Sequence, residues 1–142
     1  MIEAVTETTI RVRYGETDQM GHAYYANYFY WFEVARGAWL RDRGVTYKSI
    51  EEMGIMLPVV EAHAEYRGEV KYDDDVVVRI WLAEKRRASI QFKYEVLNHG
   101  KVVTTGYTWH VTMSREKRKA VSIPIFVNEF LERDPTVYER LH

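Results

Sequence analysis

A chain of 142 residues with 46% hydrophobic and 29% charged side chains is sized and composed for one globular domain over residues 1–142. Its formal net charge of −1 gives no broad attraction to nucleic acid or an anionic membrane, and the absence of cysteine removes disulfides, thiolate metal ligands and a cysteine nucleophile together. Residues 1–7 carry acids where a signal peptide carries bases, and no apolar run approaches the roughly 20 residues that span a bilayer, so a cytoplasmic protein without membrane contact is expected.

Within residues 8–14, Thr8, Ile10, Val12 and Tyr14 alternate with Thr9, Arg11 and Arg13, the period-two pattern of a half-buried strand. Residues 15–22 carry two glycines and short polar side chains, which suit a structured loop. Over 24–43 the period changes. Tyr28, Phe32, Ala35 and Trp39 share one helical face, widened by Trp31, Val34 and Ala38. Arg41 and Arg43 in the last turn, with Gly44 behind them, predict a stop near Arg43. Thr46 as cap and Gly54 as terminator bracket a second, shorter helix over 47–53.

Residues 57–66, 76–82, 90–97 and 102–113 alternate or are rich in β-branched and aromatic side chains, and read as four strands. Their links, 67–75, 84–88 and 98–101, are turn-like, and short links predict an antiparallel meander. The three acids Asp73, Asp74 and Asp75 are expected to stand solvated in the first link. Pro124 opens a last amphipathic stretch over 125–131. The order of strand, large apolar helix and four strands predicts an α+β fold with the helix packed on an antiparallel sheet.

Chemistry concentrates in residues 14–28, which run from a strand end into the aromatic helix. The segment sets the Asp18 carboxylate beside a helix start. Unpaired N–H groups there carry partial positive charge and can polarise a carbonyl oxygen, while Asp18 can attack that carbonyl or deprotonate a water. These parts suffice for acyl transfer. The spacing equally fits a simpler role, in which Asp18 or Thr17 caps a turn through its side-chain oxygen.

The run 11–28, with Gly15-Glu16-Thr17-Asp18-Gln19-Met20-Gly21-His22 at its centre and Glu33 and Arg36 beyond it, resembles the 4-hydroxybenzoyl-CoA thioesterase family. That family's pattern is an acidic or small residue, Thr, Asp, two variable residues, Gly and a short aromatic-rich approach to the helix. Ser122-Ile123-Pro124 also resembles its lead into the C-terminal segment. The resemblance implies a hot-dog fold, a curved antiparallel sheet wrapped around one long central helix, and an acyl-CoA thioester hydrolase that needs no metal or bound cofactor. By position it implies Asp18 as the catalytic carboxylate, nucleophile or base, and Tyr25 as the residue whose backbone N–H polarises the thioester carbonyl. It implies Tyr14 as a pocket residue beside the aspartate, with Gly21, His22 and Tyr28 also on the substrate. Many relatives carry His at the position of Tyr25. Glu33 stands where another branch of hot-dog thioesterases places its carboxylate; with Asp18 present it is expected to be structural, paired with Arg36. The resemblance further implies a homodimer or homotetramer with shared active sites, which suits 11 Tyr and 4 Trp in a chain of this size.

Coenzyme A would bring phosphates to the surface, and Lys85, Arg86 and Arg87 in one turn, with Arg67, are the candidate CoA-binding cations, although a basic turn can equally be solvated. Glu61, His63 and Glu65 share a strand face, which a polar outer sheet face or a subunit contact explains better than a metal. His110, between Trp109 and Val111, reads as a hydrogen-bonded strand histidine, and Ser89 and Ser114 lack the surroundings of a nucleophile elbow. Trp31, Phe32 and Trp39 can line a pocket or fill the core. A non-catalytic acyl-CoA sensing module would use the same fold, and a hot-dog dehydratase would need a catalytic histidine for which His22 is the candidate.

Overall fold

The computed structural model describes residues 4–133 and 135. Strand β1, Thr6–Arg11, turns Thr6, Thr8 and Ile10 inward. It stops three residues before the expected end, because Tyr14–Glu16 tightens into a single 3₁₀ turn. Helix α1 spans Asn27–Asp42 and buries the expected Tyr28, Trp31, Phe32, Ala35 and Trp39 together with Leu40, whereas Val34 is exposed and Ala38 half-buried, so the apolar face is narrower on that side than expected. Residues 24–26, predicted as helix, instead form its approach. Gly44 ends the helix as predicted: at φ +79° it lets its own N–H reach the Arg41 carbonyl and that of Val45 reach Leu40. Helix α2, Tyr47–Glu52, is capped by Thr46 Oγ1, which accepts the Ser49 N–H.

A short pair comes next, β2, Ile55–Met56, against β7, Met113–Ser114. The large sheet contains β3, Val59–Tyr66; β4, Asp75–Lys85; β5, Ser89–Asn98; and β6, Lys101–Val111. Helix α3, Ile125–Leu131, closes the described chain behind Pro124.

Strand order is β1-β4-β5-β6-β3, antiparallel throughout. The predicted meander holds for β4 to β6 and fails for β3, which pairs with β6 at the far edge. Residues 67–74 therefore cross the sheet between β3 and β4. Eight residues reach at most about 28 Å, enough to pass the roughly 14 Å of three strand spacings. The acids in this link are not idle: Asp74 accepts from Lys71 N and Asn98 Nδ2, while Asp73 and Asp75 pair with Arg11.

Trp31, Phe32 and Trp39 are core residues, each no more than 2% exposed. Phe32 stacks on Tyr94 of β5 at 4.1 Å, and Trp39 meets Phe92 edge-on. This close seating depends on Gly106 of β6, where a Cβ would lie 2.5 Å from the His63 carbonyl and 2.7 Å from the Phe32 ring. Gly106→Ala is expected to destabilise the fold by about 2–3 kcal/mol through overpacking, read as a lower urea midpoint.

Under α1 lies a buried polar chain. Arg36 does not pair with Glu33, which is exposed; it donates to Tyr47 Oη and Tyr94 Oη. Tyr94 and Thr108 hydroxyls meet at 2.6 Å, Thr108 meets His110 Nε2 at 2.8 Å, and His110 Nδ1 meets the Leu57 carbonyl at 3.0 Å. A carbonyl only accepts, so Nδ1 carries the proton and Nε2 accepts from Thr108. Each proton in the chain is thereby assigned: Arg36 to Tyr94, Tyr94 to Thr108, Thr108 to His110.

Candidate active site

The loop after β1 is a closed structure. Thr17 bridges Ala23, the Asp18 N–H donates to the His22 carbonyl at 2.8 Å, and Gly21 turns the chain back at φ +81° to donate to the Asp18 carbonyl. The Asp18 side chain completes the turn. Its Oδ1 accepts the N–H groups of Met20 at 2.9 Å and His22 at 3.2 Å. Among the described residues Oδ2 has no partner, and the side chain is open to solvent. The turn-capping and the chemical readings of Asp18 thus fall on different oxygens of one carboxylate.

Three backbone bonds set the loop against the helix start. Ala23 N donates to Val70 O, Tyr24 N to Glu16 O, and Asn27 N to Tyr24 O. The N–H groups of Tyr25 and Ala26 have no acceptor among the described residues, while their carbonyls already receive Tyr28 and Phe29. Tyr66 of β3 donates its hydroxyl to the Tyr25 carbonyl at 2.9 Å, holding that peptide in place. Two acceptor-free N–H groups at the entry to α1 are what a carbonyl oxygen acquiring negative charge requires.

The remaining candidates divide. Tyr14 is exposed at 79% and stands edge-on to Tyr72. Gly21 and His22 are in the Asp18 loop, His22 Nε2 lying 3.5 Å from Glu69. Tyr28 is only 3% exposed and packs between Trp31 and Tyr66, beneath the entry to α1 rather than at the surface of the Asp18 loop. Burial raises its phenol pKa. Arg67 pairs with Glu65 at 2.8 Å near the loop.

The basic turn is elsewhere and mostly engaged. Lys85 lies at the far end of β4, about 34 Å of extended chain from Asp75 beside the loop. Its amine bonds Asn128 of α3 and Glu132 just past its end. Arg86 bonds Glu84 and covers the Trp109 ring at 4.3 Å. Arg87 is exposed and its side chain has no partner among the described residues. One chain does not bring these cations to Asp18. His63 stacks on Tyr107 at 5.0 Å on the outer sheet face.

Sequence reasoning missed Glu16. Its carboxylate is buried, accepting the Arg13 N–H at 2.7 Å on Oε1 and the Trp31 Nε1–H at 2.9 Å on Oε2. Burial opposes ionisation, but these bonds and the Arg13 guanidinium outweigh it and hold the pKa below the ordinary carboxylate value. The three-residue spacing of Arg13 and Glu16, a capping-box geometry, is the local signal that could have found it. A depression of about 500 Å³ lined by Arg13, Gly15, Glu16, Asn27 and Tyr30 adjoins it.

The sequence matches the Thioesterase-like superfamily over residues 12–133. It is 33% identical over 118 residues to the putative acyl-CoA thioesterase YneP of Bacillus subtilis, covering 82% of this chain and 86% of that one. It is 36% identical over 122 residues to a putative esterase of Aquifex aeolicus, covering 86% and 94%. The crystal structure of a DHNA-CoA thioesterase from Staphylococcus aureus superposes with a TM-score of 0.84 at 30% identity, over 96% of this chain and 91% of that one. A family match spanning most of the chain, with the same fold behind it, makes this protein a member of the thioesterase-like superfamily.

Proposed function

We propose that the protein hydrolyses acyl-CoA thioesters to a free acid and CoA, with Asp18 as its carboxylate and the N–H groups at the entry to α1 polarising the carbonyl. The fold is then the hot-dog arrangement, the sheet wrapped around α1 as its central helix. The observation that carries the reading is the split use of Asp18: Oδ1 is locked by two backbone donors and Oδ2 is left open. A carboxylate so oriented can take a proton from water and pass it to the departing thiolate, or attack the carbonyl itself to form an anhydride that water then opens. Both routes consume one water and release one thiol. Tyr25 contributes through its backbone, so a tyrosine where relatives carry histidine is no obstacle.

The Bacillus and Staphylococcus relatives act, by their names, on acyl-CoA and DHNA-CoA, and they support a CoA thioester as the substrate class. The 4-hydroxybenzoyl-CoA family supplies the mechanistic template. Free-thiol release from a panel of short, long and aromatic acyl-CoAs tests the proposal. Acyl-CoA binding without release would instead make the protein a sensing module, and an enoyl product a dehydratase.

Assembly is argued from the same geometry. Strand β3 is a sheet edge whose residues are nearly all exposed, Val59, Val60 and Tyr66 among them. An edge of this kind is covered in most proteins or pairs with another chain. Tyr66 lies at the Asp18 end of β3, whereas Val59 faces His110 in the row that leads through Ile90 to Lys85 of the basic turn. Two copies joined antiparallel along β3 would bring the basic turn of one to the Asp18 end of the other. The proposed site is then shared, with Arg87 and Arg67 the cations best placed for CoA phosphates. Light scattering is expected to give at least twice the chain mass of 16.9 kDa. A monomer would overturn the shared site.

A further inference from the structure

We propose that Glu16 is a positioning residue for this hydrolysis, clamping the Asp18 loop to the first turn of α1 through both its carbonyl and its carboxylate. The inference rests on the proposed role of Asp18. Glu16 precedes Asp18 by two residues and is only 7% exposed. Its carbonyl accepts Tyr24 N and Asn27 Nδ2, each at 2.8 Å. Its carboxylate reaches Trp31 Nε1. Asn27 and Trp31 are four residues apart and so lie on one face of the helix, one turn from each other. One residue therefore holds the loop to the helix at two heights, with the acceptor-free N–H groups of Tyr25 and Ala26 between Asp18 and the clamp in the chain.

The side chain has to be an anion for this. Both carboxylate oxygens accept, one from Arg13 N–H and one from Trp31 Nε1–H. Glutamine has the same size but only one acceptor; its amide nitrogen would set a donor against a donor at one of the two contacts. Tolerating a buried charge, which is costly unless well paired, makes sense where it fixes the position of the loop.

The test compares kcat and KM for thiol release by the full chain carrying Glu16→Gln, Trp31→Phe, or both. Each single change is expected to lower kcat by on the order of 10²-fold in the folded protein with KM nearly unchanged, because misplacing a reacting group by about 1 Å costs that much. The pair should lose less than the product of the two, since phenylalanine removes the donor that the glutamine amide opposes. Gly106→Ala, which weakens the fold elsewhere, should keep its kcat below its melting temperature. Wild-type kcat in folded Glu16→Gln would overturn the positioning role while leaving Asp18 in place. Failure of both single variants to fold, or a kcat loss matched by Gly106→Ala, would make Glu16 merely structural. A wild type that releases no thiol would overturn the hydrolysis and the clamp together.

Discussion

Asp18→Asn is expected to lower kcat for thiol release by about 10²–10⁴-fold, the usual contribution of a positioned acid–base group, while leaving the fold intact. The asparagine amide retains an oxygen that can accept the Met20 and His22 N–H groups now bound by Oδ1. The loop turn survives, and what disappears is the negative charge on the outward oxygen. Asp18→Ala would instead remove the turn bonds as well, so its loss of activity would mix position with chemistry. Steady-state assays with matched circular dichroism spectra check the prediction. Near-normal kcat in folded Asp18→Asn would mean that Asp18 only caps a turn. Single-turnover hydrolysis in heavy-oxygen water then tests the covalent route, because an anhydride opened by water at the Asp18 carbonyl leaves labelled oxygen in the protein, which the general-base route never does.

Stability is expected to fall by about 2 kcal/mol between pH 7.5 and pH 5 on account of His110 alone. Burial disfavours the imidazolium, the Arg36 charge disfavours it further, and the bond to Leu57 O only partly offsets them; the pKa is lowered from 6.5 to about 4. Between those values the unfolded chain binds the proton and the folded chain does not. Stability is therefore full above the unfolded pKa and declines as pH falls toward 4. Protonating Nε2 would also turn it from acceptor to donor. Thr108 would have to donate to Tyr94, whose hydroxyl oxygen already accepts from Arg36 and whose own proton would lose its acceptor. Glu16 and Asp74, both with lowered pKa values, hold their contribution above the ordinary carboxylate range and lose it as pH falls through that range toward their lower folded values, mostly below about pH 5. Urea unfolding across this window provides the measurement. His110→Gln, which keeps an acceptor for Thr108 but gives up the bond to Leu57, should be less stable throughout yet flat over the same pH range. An unchanged slope in that variant would assign the acid sensitivity to other groups.

Much of this molecule is legible from its order of residues. The stripe Tyr28, Phe32, Ala35, Trp39 fits only a buried helical face, Thr46 and Gly44 delimit helices through their own chemistry, and 125–131 forms the helix that Pro124 announces. Asp18 between a glycine-rich turn and a helix start is likewise a local arrangement, and the family match over residues 12–133 includes that run. These features depend on periodicity, capping and turn chemistry, which act within a few positions. Other features depend on where the sheet order carries distant segments. A meander puts β3 beside β4, whereas the edge beyond β6 receives it. Arg36 has Glu33 one turn away and takes Tyr47 and Tyr94, because burial of α1 directs it inward. Lys85 looks like a solvated or CoA-binding cation in its own turn, and Asn128 of α3 engages it together with Glu132 just past its end. Local chemistry along the chain is enough to define the elements and the candidate carboxylate. Tertiary packing decided the strand order, the partners of the buried charges and the separation of the basic turn from Asp18, because those arise from contacts between residues far apart in the chain, whose pairing no local pattern encodes.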